Sequence, residues 1–390
     1  MRDSGIEWIG QIPKEWKVNK IGNLYRVRNE KVSDKDYPPL SVTMNGIVPQ
    51  LENAAKTNNG DDRKLVCKGD FAINSRSDRR GSCGVSQFEG SVSLINTILN
   101  PRGSMNPQYY NWLFHTELFA DEFYKWGHGI VNDLWTTRWQ EMKNISIVYP
   151  SLSEQQKIAD YLDKVCGEVD ELVALQEKMI EELKAYKQSV ITETVTKGLN
   201  PNVPMKDSGI DWIGDIPKHW ILSKAKFFVD ITNGCDPKTE GDIPVYGSGA
   251  SSFKTCGEYK DGPTVLIGRK GATLHIPHYI EGKYWNVDTA FDVKVKVGFN
   301  LKYYYYTAIC FDYKYYVSQT TLPGMAQSSY NNMKIPVPSL EEQRAIASYL
   351  DTKCSEIDSL IALKQAKIEE LKEYKKSVIY EYVTGKTEVI

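Results

Sequence analysis

The chain has 390 residues, of which 41% are hydrophobic and 25% are charged, so it is long enough for two or three globular domains with real cores. It lacks the ~20 consecutive apolar residues of a membrane span, the apolar run of a signal peptide and any Cys-x-x-Cys pair among its seven cysteines, so we expect a cytoplasmic protein without membrane contact, disulfide framework or zinc module. The formal net charge of −2 argues against an overall basic nucleic-acid binder, because such proteins usually carry a basic excess.

A tryptophan-rich phrase near the start of the chain occurs twice. It reads DSGIEWIGQIPKEW at residues 3–16 and returns almost letter for letter at 207–220. A second motif, PSLSEQQ from residue 150, returns as PSLEEQ from residue 338. The insert between the two motifs is longer in the first half, at 17–149, than in the second, at 221–337. The repeated motifs, here called the frame, thus flank two inserts that differ in sequence. This arrangement indicates one scaffold that recognises two different ligands.

The first insert has the pattern of a mixed α/β domain. Strand-like runs at 71–74 and 91–99 precede an aromatic helix candidate at 108–124. Between Arg63 and Arg80 six basic residues stand against two acidic ones. This local excess favours contact with an anionic polymer, although ordinary surface charge can be equally uneven.

Each PSL motif opens a long amphipathic helix. Ser151 and Ser339 can act as N-caps, and Glu154 or Glu342 follows three residues later as in a capping box. Apolar residues then recur in steps of four and three, which is the coiled-coil pattern, over a rod of roughly 65 Å at ~1.5 Å rise per residue. We expect the two helices to pair, with a helix lying along its own domain as the alternative. The predicted seam comprises Ile158, Leu162, Val165, Val169, Leu172, Met179 and Leu183 in the first helix and Ile346, Leu350, Ile357, Leu360 and Leu371 in the second.

The second insert shares a weak version of the same pattern. A strand candidate at 263–268 and an aromatic helix candidate at 301–316 lead back to the frame through Met333, as the first insert does through Met142. The chain is therefore predicted to be an α+β protein. Two mixed α/β domains are joined by two long helices in an antiparallel coiled coil, as a pseudo-two-fold internal repeat.

Four motifs together resemble one protein family. They are the tryptophan phrase, the PSLxEQ opening, the YLD at 161–163 and 349–351, and the VTKGL linker at 195–199. They closely resemble the DNA-specificity (S, or HsdS) subunit of type I restriction-modification systems, in the expected order over the full chain. The resemblance implies a target-recognition domain at 1–150, a spacer helix at 151–200, a second recognition domain at 201–337 and a second helix at 338–390.

The family resemblance also implies partners. The chain itself would have no catalysis and bind no cofactor. It would bind double-stranded DNA and hold two modification subunits, which bring S-adenosylmethionine, and it would recruit restriction subunits, which bring ATP hydrolysis with Mg²⁺ and DNA cleavage. Two unlike domains would read a split, asymmetric target, with half-sites about one helical turn, ~34–36 Å, or a multiple of it apart.

The best candidates for DNA contact are polar residues on loops, because arginine matches the two acceptors of guanine best and lysine suits phosphates. In the first insert we expect base contacts from Arg76, Arg79 and Arg80, phosphate contacts from Lys64 and Lys68, and exit-loop contacts from Asn132 and Arg138. In the second insert the candidates are Ser248, Arg269, Lys270, Thr273, Gln327 and Ser328. Plain solvation of the arginines and packed turns in the exit loops are the alternatives.

Two other classes of function remain open from the sequence. A nuclease or methyltransferase with built-in specificity would need metal or cofactor motifs. The NPQY at 106–109 resembles the NPPY of adenine methyltransferases, but no glycine-rich loop after a strand precedes it, so a helix entry is favoured. A coiled-coil adaptor for proteins alone would bind no duplex DNA at any salt concentration.

Overall fold

The computed structural model describes residues 1–50, 60–76, 79–129, 135–249, 251–317 and 323–389. The chain forms two compact units, the first made of residues 1–176 with 366–390 and the second of residues 177–365. Each unit combines one predicted recognition domain with parts of both long helices. No described helix is both long enough and apolar enough to cross a membrane.

The first unit contains thirteen described strands and four short helices, and the first long helix begins in it. Its strands are β1 (Arg2–Asp3), β2 (Gln11–Ile12), β3 (Lys17–Lys20), β4 (Tyr25–Arg28), β5 (Lys31–Val32), β6 (Leu40–Thr43), β7 (Gly46–Pro49), β8 (Arg63–Val66), β9 (Phe71–Asn74), β10 (Cys83–Val85), β11 (Gly90–Val92), β12 (Asn96–Pro101) and β13 (Ser146–Tyr149). Its helices are α1 (Ile21–Leu24), α2 (Pro107–Phe114), α3 (Glu117–Lys125), α4 (Trp139–Met142) and the long α5 (Leu152–Lys197).

The second unit follows the same plan. Its strands are β14 (Met205–Asp207), β15 (Asp215–Pro217), β16 (Ile221–Lys224), β17 (Val229–Asn233), β18 (Ile243–Tyr246), β19 (Lys254–Cys256), β20 (Lys260–Asp261), β21 (Thr264–Gly268), β22 (His278–Ile280), β23 (Lys283–Asn286), β24 (Ala290–Val295) and β25 (Lys334–Val337). Its helices are α6 (Leu301–Ile309), α7 (Tyr313–Tyr316), α8 (Gln327–Asn332) and the long α9 (Leu340–Val383), with a 3-10 turn at Ala225–Phe227.

The main sheet of each unit has the same topology. It is antiparallel, with strand order β10-β9-β12-β4 in the first unit and β22-β21-β24-β17 in the second. The aromatic helix that follows packs on it, as when the rings of Phe71 and Phe114 approach to 4.9 Å between centroids. The smaller sheets differ: β11-β8-β5 in the first unit against β19-β18-β23-β20, with a parallel pair β18-β23, in the second. The frame is therefore repeated and the inserted sheet has diverged.

Some predicted elements are divided in the structure. The strand expected at 91–99 is two strands, β11 and β12, which belong to different sheets. The aromatic helix expected at 108–124 is α2 and α3, because the Thr116 hydroxyl accepts from the amide of Phe119 and starts a new helix. The helix expected at 301–316 is likewise α6 and α7. Asn106, in the NPQY segment, caps α2 by accepting from two backbone amides, as a helix entry requires.

The repeated motifs build the joint between each domain and its long helices. Ser151 and Glu154 form a capping box at the start of α5, and the indole of Trp16 donates to the same glutamate at 2.9 Å. The second copy repeats this joint, with Trp220 donating to Glu342 at 3.1 Å. The repeated tryptophans thus pack the frame and close its helix caps.

The glutamine of the PSLxEQ motif connects the aromatic helix to the frame. Gln155 is fully buried, donates to the Pro150 carbonyl at 2.9 Å and accepts from the amide of Asn106. Gln343 does the same with Pro338 and Asn300 in the second unit. Because each side chain satisfies two backbone groups at once, its motif fixes the position of the first turn of α2 or α6.

The long helices pair antiparallel within each unit. In the first unit, Tyr161 stacks on Tyr382 and Asp170 bonds Lys375 at 2.6 Å. In the second, Lys364 contacts Met179 and Lys187 bonds Asp358 at 2.6 Å. In both, residue numbers rise along α5 while partner numbers fall along α9. The predicted α+β class and antiparallel helix pairing are confirmed.

The seam follows the predicted register at its start and then shifts by one position. Leu172 and Leu360 do not lie in it, since they are 46% and 47% exposed; Val173 and Ile361 take those places. Of the predicted seam, Ile158, Leu162, Val169, Ile346, Leu350 and Ile357 are buried, and Val165, Met179, Leu183 and Leu371 are half-buried. Buried seam residues that the prediction omitted are Cys166, Ile180, Cys354 and Ile368.

The displaced leucines belong to an exposed apolar strip beside the seam, here called the Leu/Tyr flank. It consists of Leu172, Leu175 and Tyr374 in the first unit and of Leu360, Leu363 and Tyr186 in the second. The α5 members of the flank occupy the same repeat positions as its α9 members. Residues three apart on a helix share a face, so each leucine pair presents one continuous apolar surface.

Candidate nucleic-acid interface

The candidate interface of the first unit forms where two loops meet. The loop after β9 carries Ser75 and Arg76, and the exit loop before α4 carries Thr136 and Thr137. The amide of Thr137 donates to the Ser75 carbonyl at 3.0 Å, and Arg76 forms an isolated antiparallel bridge with Thr136. These bonds join two loops that are distant in the sequence into one surface.

A cleft of about 460 Å³ opens on this surface. It brings together three of the predicted contacts, Lys64, Arg76 and Arg138. Its other lining residues are Val27, Asn29, Ser75, Leu94, Ile95, Thr97, Thr136, Trp139 and Gln140. The cleft is therefore an open, positively charged groove with apolar and hydroxyl-bearing walls.

The two arginines of the cleft are exposed and rest on fixed backbone. The amide of Arg76 donates to the Asn74 side chain at 3.0 Å, and its carbonyl accepts from the Tyr124 hydroxyl at 3.2 Å. The amide of Arg138 donates to the Glu141 carboxylate at 3.1 Å where α4 begins. Among the described residues, no carboxylate forms an ion pair with either guanidinium. Within the described part of the chain, both heads are therefore open to an external anion or base edge.

Lys64 is bound more tightly into the fold than a phosphate contact requires. Its ammonium donates at 2.7 Å to the carbonyl of Asn96, which lies in β12 of the main sheet. Burial lowers the pKa of its side chain. Lys64 therefore supplies positive charge to the cleft wall from a fixed position.

The remaining predicted contacts of the first unit lie elsewhere. Lys68 is exposed in the turn before β9, at the end of that strand opposite Arg76. Arg80 pairs with Asp121 and lies over the ring of Tyr124, so its charge is balanced by an acidic residue of α3. Arg79 is exposed in the loop after β9. The predicted contact Asn132 lies outside the described residues.

The second unit joins the equivalent loops in the same way. Lys270 forms an isolated antiparallel bridge with Gly324 of the exit loop, and the amide of Met325 donates to the Arg269 carbonyl at 2.9 Å. The loop after β21 and its counterpart after β9 are here called the cationic arms. In the second unit, as in the first, arm and exit loop form one surface. Within the described chain, Lys270 stands where Arg76 stands in the first unit.

The charges on this second surface are partly balanced by an acid that the sequence analysis missed. One nitrogen of Arg269 donates to the Asp288 carbonyl at 3.1 Å. The Asp288 carboxylate lies 3.8 Å from the Arg269 guanidinium and 3.7 Å from the Lys270 ammonium, and it is half exposed. The second surface thus presents two cations that share one internal counter-ion.

The other predicted contacts of the second unit serve the fold to different degrees. The Thr273 hydroxyl donates to the Ser248 carbonyl at 2.8 Å and ties the arm to the preceding loop. Gln327 is half-buried and its side-chain amide donates to the Ile231 carbonyl, so this candidate contact is bound into the fold. Ser328 is exposed in the first turn of α8.

Residues missed by the sequence analysis include Asn29, Thr97 and Gln140 of the first cleft. Asn29 directly follows β4, and Thr97 lies in β12, the strand between β4 and β9. For Asn29 and Thr97 the available signal was position, since both lie at the ends of strands in the sheet that carries Arg76. Among the described residues, no group of three or more His, Cys, Asp or Glu side chains could hold a metal ion.

The protein consists of two repeated frames, and each frame presents a cationic loop beside an exit loop. This is the architecture of a nucleic-acid recognition scaffold. Comparison with known families agrees. The family model described as type I restriction modification DNA specificity domain matches residues 13–185 and 221–373, most of the chain. The chain belongs to this family. Each match begins close to the second tryptophan of the repeated phrase and ends inside a long helix.

Two curated relatives match nearly the whole chain and a third matches part of it. The putative type I restriction enzyme MjaX specificity subunit of Methanocaldococcus jannaschii is 24% identical over 430 residues, covering 98% of this chain and 96% of the relative. The MjaVIII specificity subunit of the same organism is 28% identical over 425 residues, covering 97% and 94%. The EcoprrI specificity subunit of Escherichia coli is 29% identical over 140 residues, 36% of this chain and 34% of the relative.

Two solved structures share the fold. A chain from a study of complex assembly and conformational transition of the type I R-M system aligns with a TM-score of 0.77 at 14% identity, covering 97% of this chain and 100% of that one. The HsdS subunit from Thermoanaerobacter tengcongensis aligns with a TM-score of 0.56 at 16% identity, covering 97% and 98%. The predicted identity as a specificity subunit, distinct from the catalytic components, is confirmed by the family match and the named relatives.

Proposed function

We propose that this chain directs a type I restriction-modification complex to a bipartite, asymmetric DNA target. The observation that carries the proposal is the repeated frame with unlike reading surfaces. The helix caps, buried glutamines and main sheet recur in both units. Arg76 and Arg138 of the first cleft have no ion-pair partner among the described residues, whereas the cations of the second surface are balanced by Asp288. A palindromic target would need equal surfaces, so each unit is assigned its own half-site.

The division of labour follows from the chemistry of each surface. Contacts to phosphates position a protein on duplex DNA, and contacts to base edges specify the sequence. Fixed loops that present a cationic side chain, such as exposed Arg76 in the first unit and half-exposed Lys270 in the second, suit base or groove contacts. The mildly acidic chain would bind DNA weakly alone, because its partners would supply much of the phosphate contact.

The Leu/Tyr flank supports the recruitment of two modification subunits. Apolar strips on a soluble helix pair usually mark an interface, and this strip occurs once per unit with the same residue types. Two equivalent strips match two copies of one partner. In this proposal the modification subunits carry S-adenosylmethionine, restriction subunits carry ATP and Mg²⁺, and the complex works on DNA in the cytoplasm.

The proposal is tested by producing the chain with the modification subunit encoded beside it and mapping methylated adenines across a host genome. We expect one split motif, methylated on both strands, whose two halves differ. A chain that binds the modification subunit but directs no methylation, and does not bind duplex DNA at low salt, would be a protein-only adaptor and would refute the proposal.

The partner surface is tested with Leu175→Glu and Leu363→Glu, one in each unit. Each single change should reduce the bound modification subunits from two to one, and the double change should abolish binding while leaving the fold intact. Lys184→Glu is the matched control, because Lys184 is 55% exposed and lies on the face of α5 opposite Leu175. Full binding by the double variant would place the partner elsewhere.

A further inference from the structure

We propose that the first unit reads a guanine through Arg76, with Arg138 as a second donor in the same cleft. This inference rests on the proposed function and deepens it, because it assigns one base to one half-site. The half-site read by the first unit would contain a guanine whose N7 and O6 atoms face Arg76 in the major groove.

The backbone of Arg76 is held from three directions. Its amide donates to Asn74, its carbonyl accepts from Tyr124, and it bridges Thr136 across the exit loop. A phosphate contact tolerates a mobile side chain, since the phosphate carries no sequence information. Base reading needs an anchored donor, because the two acceptors of guanine occupy fixed positions. The anchoring of Arg76 therefore favours a base edge over a phosphate.

The donor chemistry of the cleft selects guanine. A guanidinium has only donors, in a planar fork that matches the adjacent N7 and O6 acceptors of guanine. Adenine is usually read by an Asn or Gln that both donates and accepts. Gln140 is occupied, since its side-chain oxygen accepts from Lys143 at 2.6 Å. Lys64, whose ammonium donates to the Asn96 carbonyl, adds positive charge beside the fork.

The other arginines of the two surfaces are less suited to this task. Arg80 is paired with Asp121, and Arg269 lies beside Asp288 and donates to its carbonyl. Moving either guanidinium onto a base would break those contacts. Arg138 is exposed in the cleft, but its backbone bonds are local, to the first turn of α4. We therefore assign it the smaller share of the discrimination.

The experiment uses the complex of this chain with its modification subunits and a duplex carrying the methylated motif. Each guanine of both half-sites is replaced in turn by 7-deazaguanine, which lacks the N7 acceptor, and binding is measured by competition. We expect one guanine, in a single half-site, at which the replacement weakens binding about tenfold, the size of one good base contact. The Arg76→Ala complex should bind the normal duplex about tenfold more weakly and be indifferent to that replacement.

Three variants complete the test. Arg76→Lys keeps the charge and loses the fork, so it should lose most of the discrimination; Arg138→Ala should lose a smaller part. Lys68→Ala, a basic residue of the same unit outside the cleft, should keep full sensitivity to 7-deazaguanine.

Two results would overturn the assignment. One is a half-site that responds to Arg76→Ala and contains no guanine; the other is unchanged 7-deazaguanine sensitivity in Arg76→Ala. Failure of the proposed function is distinguishable, because the wild-type complex would then show no split motif at all.

Discussion

The two reading surfaces are built on equivalent loops and differ in how their charges are balanced. In the first unit, Arg76 and Arg138 have no ion-pair partner among the described residues. In the second, Arg269 and Lys270 share the carboxylate of Asp288. The bonds that join arm to exit loop are nevertheless the same in both. Backbone pairing fixes the position of the DNA-contacting side chain. A single nearby residue such as Asp288 then decides how strongly that side chain attracts an anion.

The frames of the two units differ far less. Each second tryptophan of the repeated phrase donates to a capping-box glutamate, and each PSLxEQ glutamine is buried against the aromatic helix. Since both joints recur although the inserts have diverged, the frame can hold unlike inserts. Equivalent substitutions should therefore have similar effects in the two frames and different effects on the two reading surfaces.

The largest matched effect is expected at the seam. Leu162→Glu places a charge where the side chain is fully buried, and so does Leu350→Glu in the second unit. Each should lower the free energy of unfolding by at least about 3 kcal/mol, since a core contact is lost and a charge is buried. Urea denaturation of the purified variants checks this.

The controls are Leu172→Glu and Leu360→Glu, whose side chains are nearly half exposed. They should change the free energy of unfolding by less than about 1 kcal/mol. A Leu172→Glu chain that fails to fold would mean that this leucine belongs to the seam after all.

The next effect is expected at the unmatched surfaces. Asp288→Asn removes the counter-ion of Arg269 and Lys270, so the complex should bind non-specific DNA more tightly. The slope of log affinity against log salt should steepen by about one contact. Competition binding at several salt concentrations checks this. Weaker non-specific binding would mean that Asp288 positions the two cations and does not restrain them.

A smaller effect concerns acid stability of the two capping boxes. Burial raises the pKa of Glu342, but hydrogen bonds from His219, Trp220 and Ser339 outweigh it and hold the pKa at about 2. The pKa of Glu154 is also lowered, by bonds from Ser151 and Trp16 that outweigh its burial. A depressed carboxyl pKa stabilises the fold above the unfolded value near ~4.3 and ceases to do so as pH falls towards the folded value.

His219→Ala should therefore reduce the acid sensitivity of the second frame. The wild-type chain should lose roughly 1 kcal/mol or less between pH 6 and pH 3 through Glu342, because that carboxylate is partly exposed and screened. The variant should lose less over the same range. Urea midpoints at both pH values measure the difference, and an equal loss in both chains would show that His219 has no part in holding the carboxylate ionised.

The smallest effect is expected at the two ion pairs beside the seam. Asp170→Asn breaks the bond to Lys375, and Asp358→Asn breaks its repeat with Lys187. Both pairs are solvent-accessible, so each change should destabilise by about 0.2–1 kcal/mol and by similar amounts. Thermal unfolding at low and high salt checks both, with the loss shrinking at high salt. Clearly unequal losses would show that the repeat is not energetically symmetric.

The frame was predictable because its signals are local or periodic. Ser151 and Glu154 stand at capping-box spacing, and the four-three steps identify a helix pair. The exact seam was not predictable from Leu172, since Val173 beside it is equally apolar. The true phase runs on through Gln176, a half-buried polar residue that the pattern counted as a miss.

The site was predictable only as far as the loops. Arg76 was found because arginine on a loop after a strand is a recognisable reader. Lys64 is bound to the Asn96 carbonyl and Arg80 is paired with Asp121. Asp288 lies beside Arg269 and Lys270, which come from an earlier part of the chain. Tertiary packing brings such partners together, and no spacing in the sequence predicts them.

The hydroxyl of Tyr109 donates at 2.7 Å to the carbonyl of Val383, the last residue of α9. The hydroxyl of its counterpart Tyr303 lies 3.3 Å from the Val195 carbonyl and 2.9 Å from that of Pro336. The second unit is one continuous segment, but the first needs residues 366–390. Because domains fold as units during synthesis, the second unit can be completed once residue 365 has emerged, whereas the first is completed only after residues 366–390 have followed. Premature termination within α9 should therefore harm the half of the protein that was synthesised first.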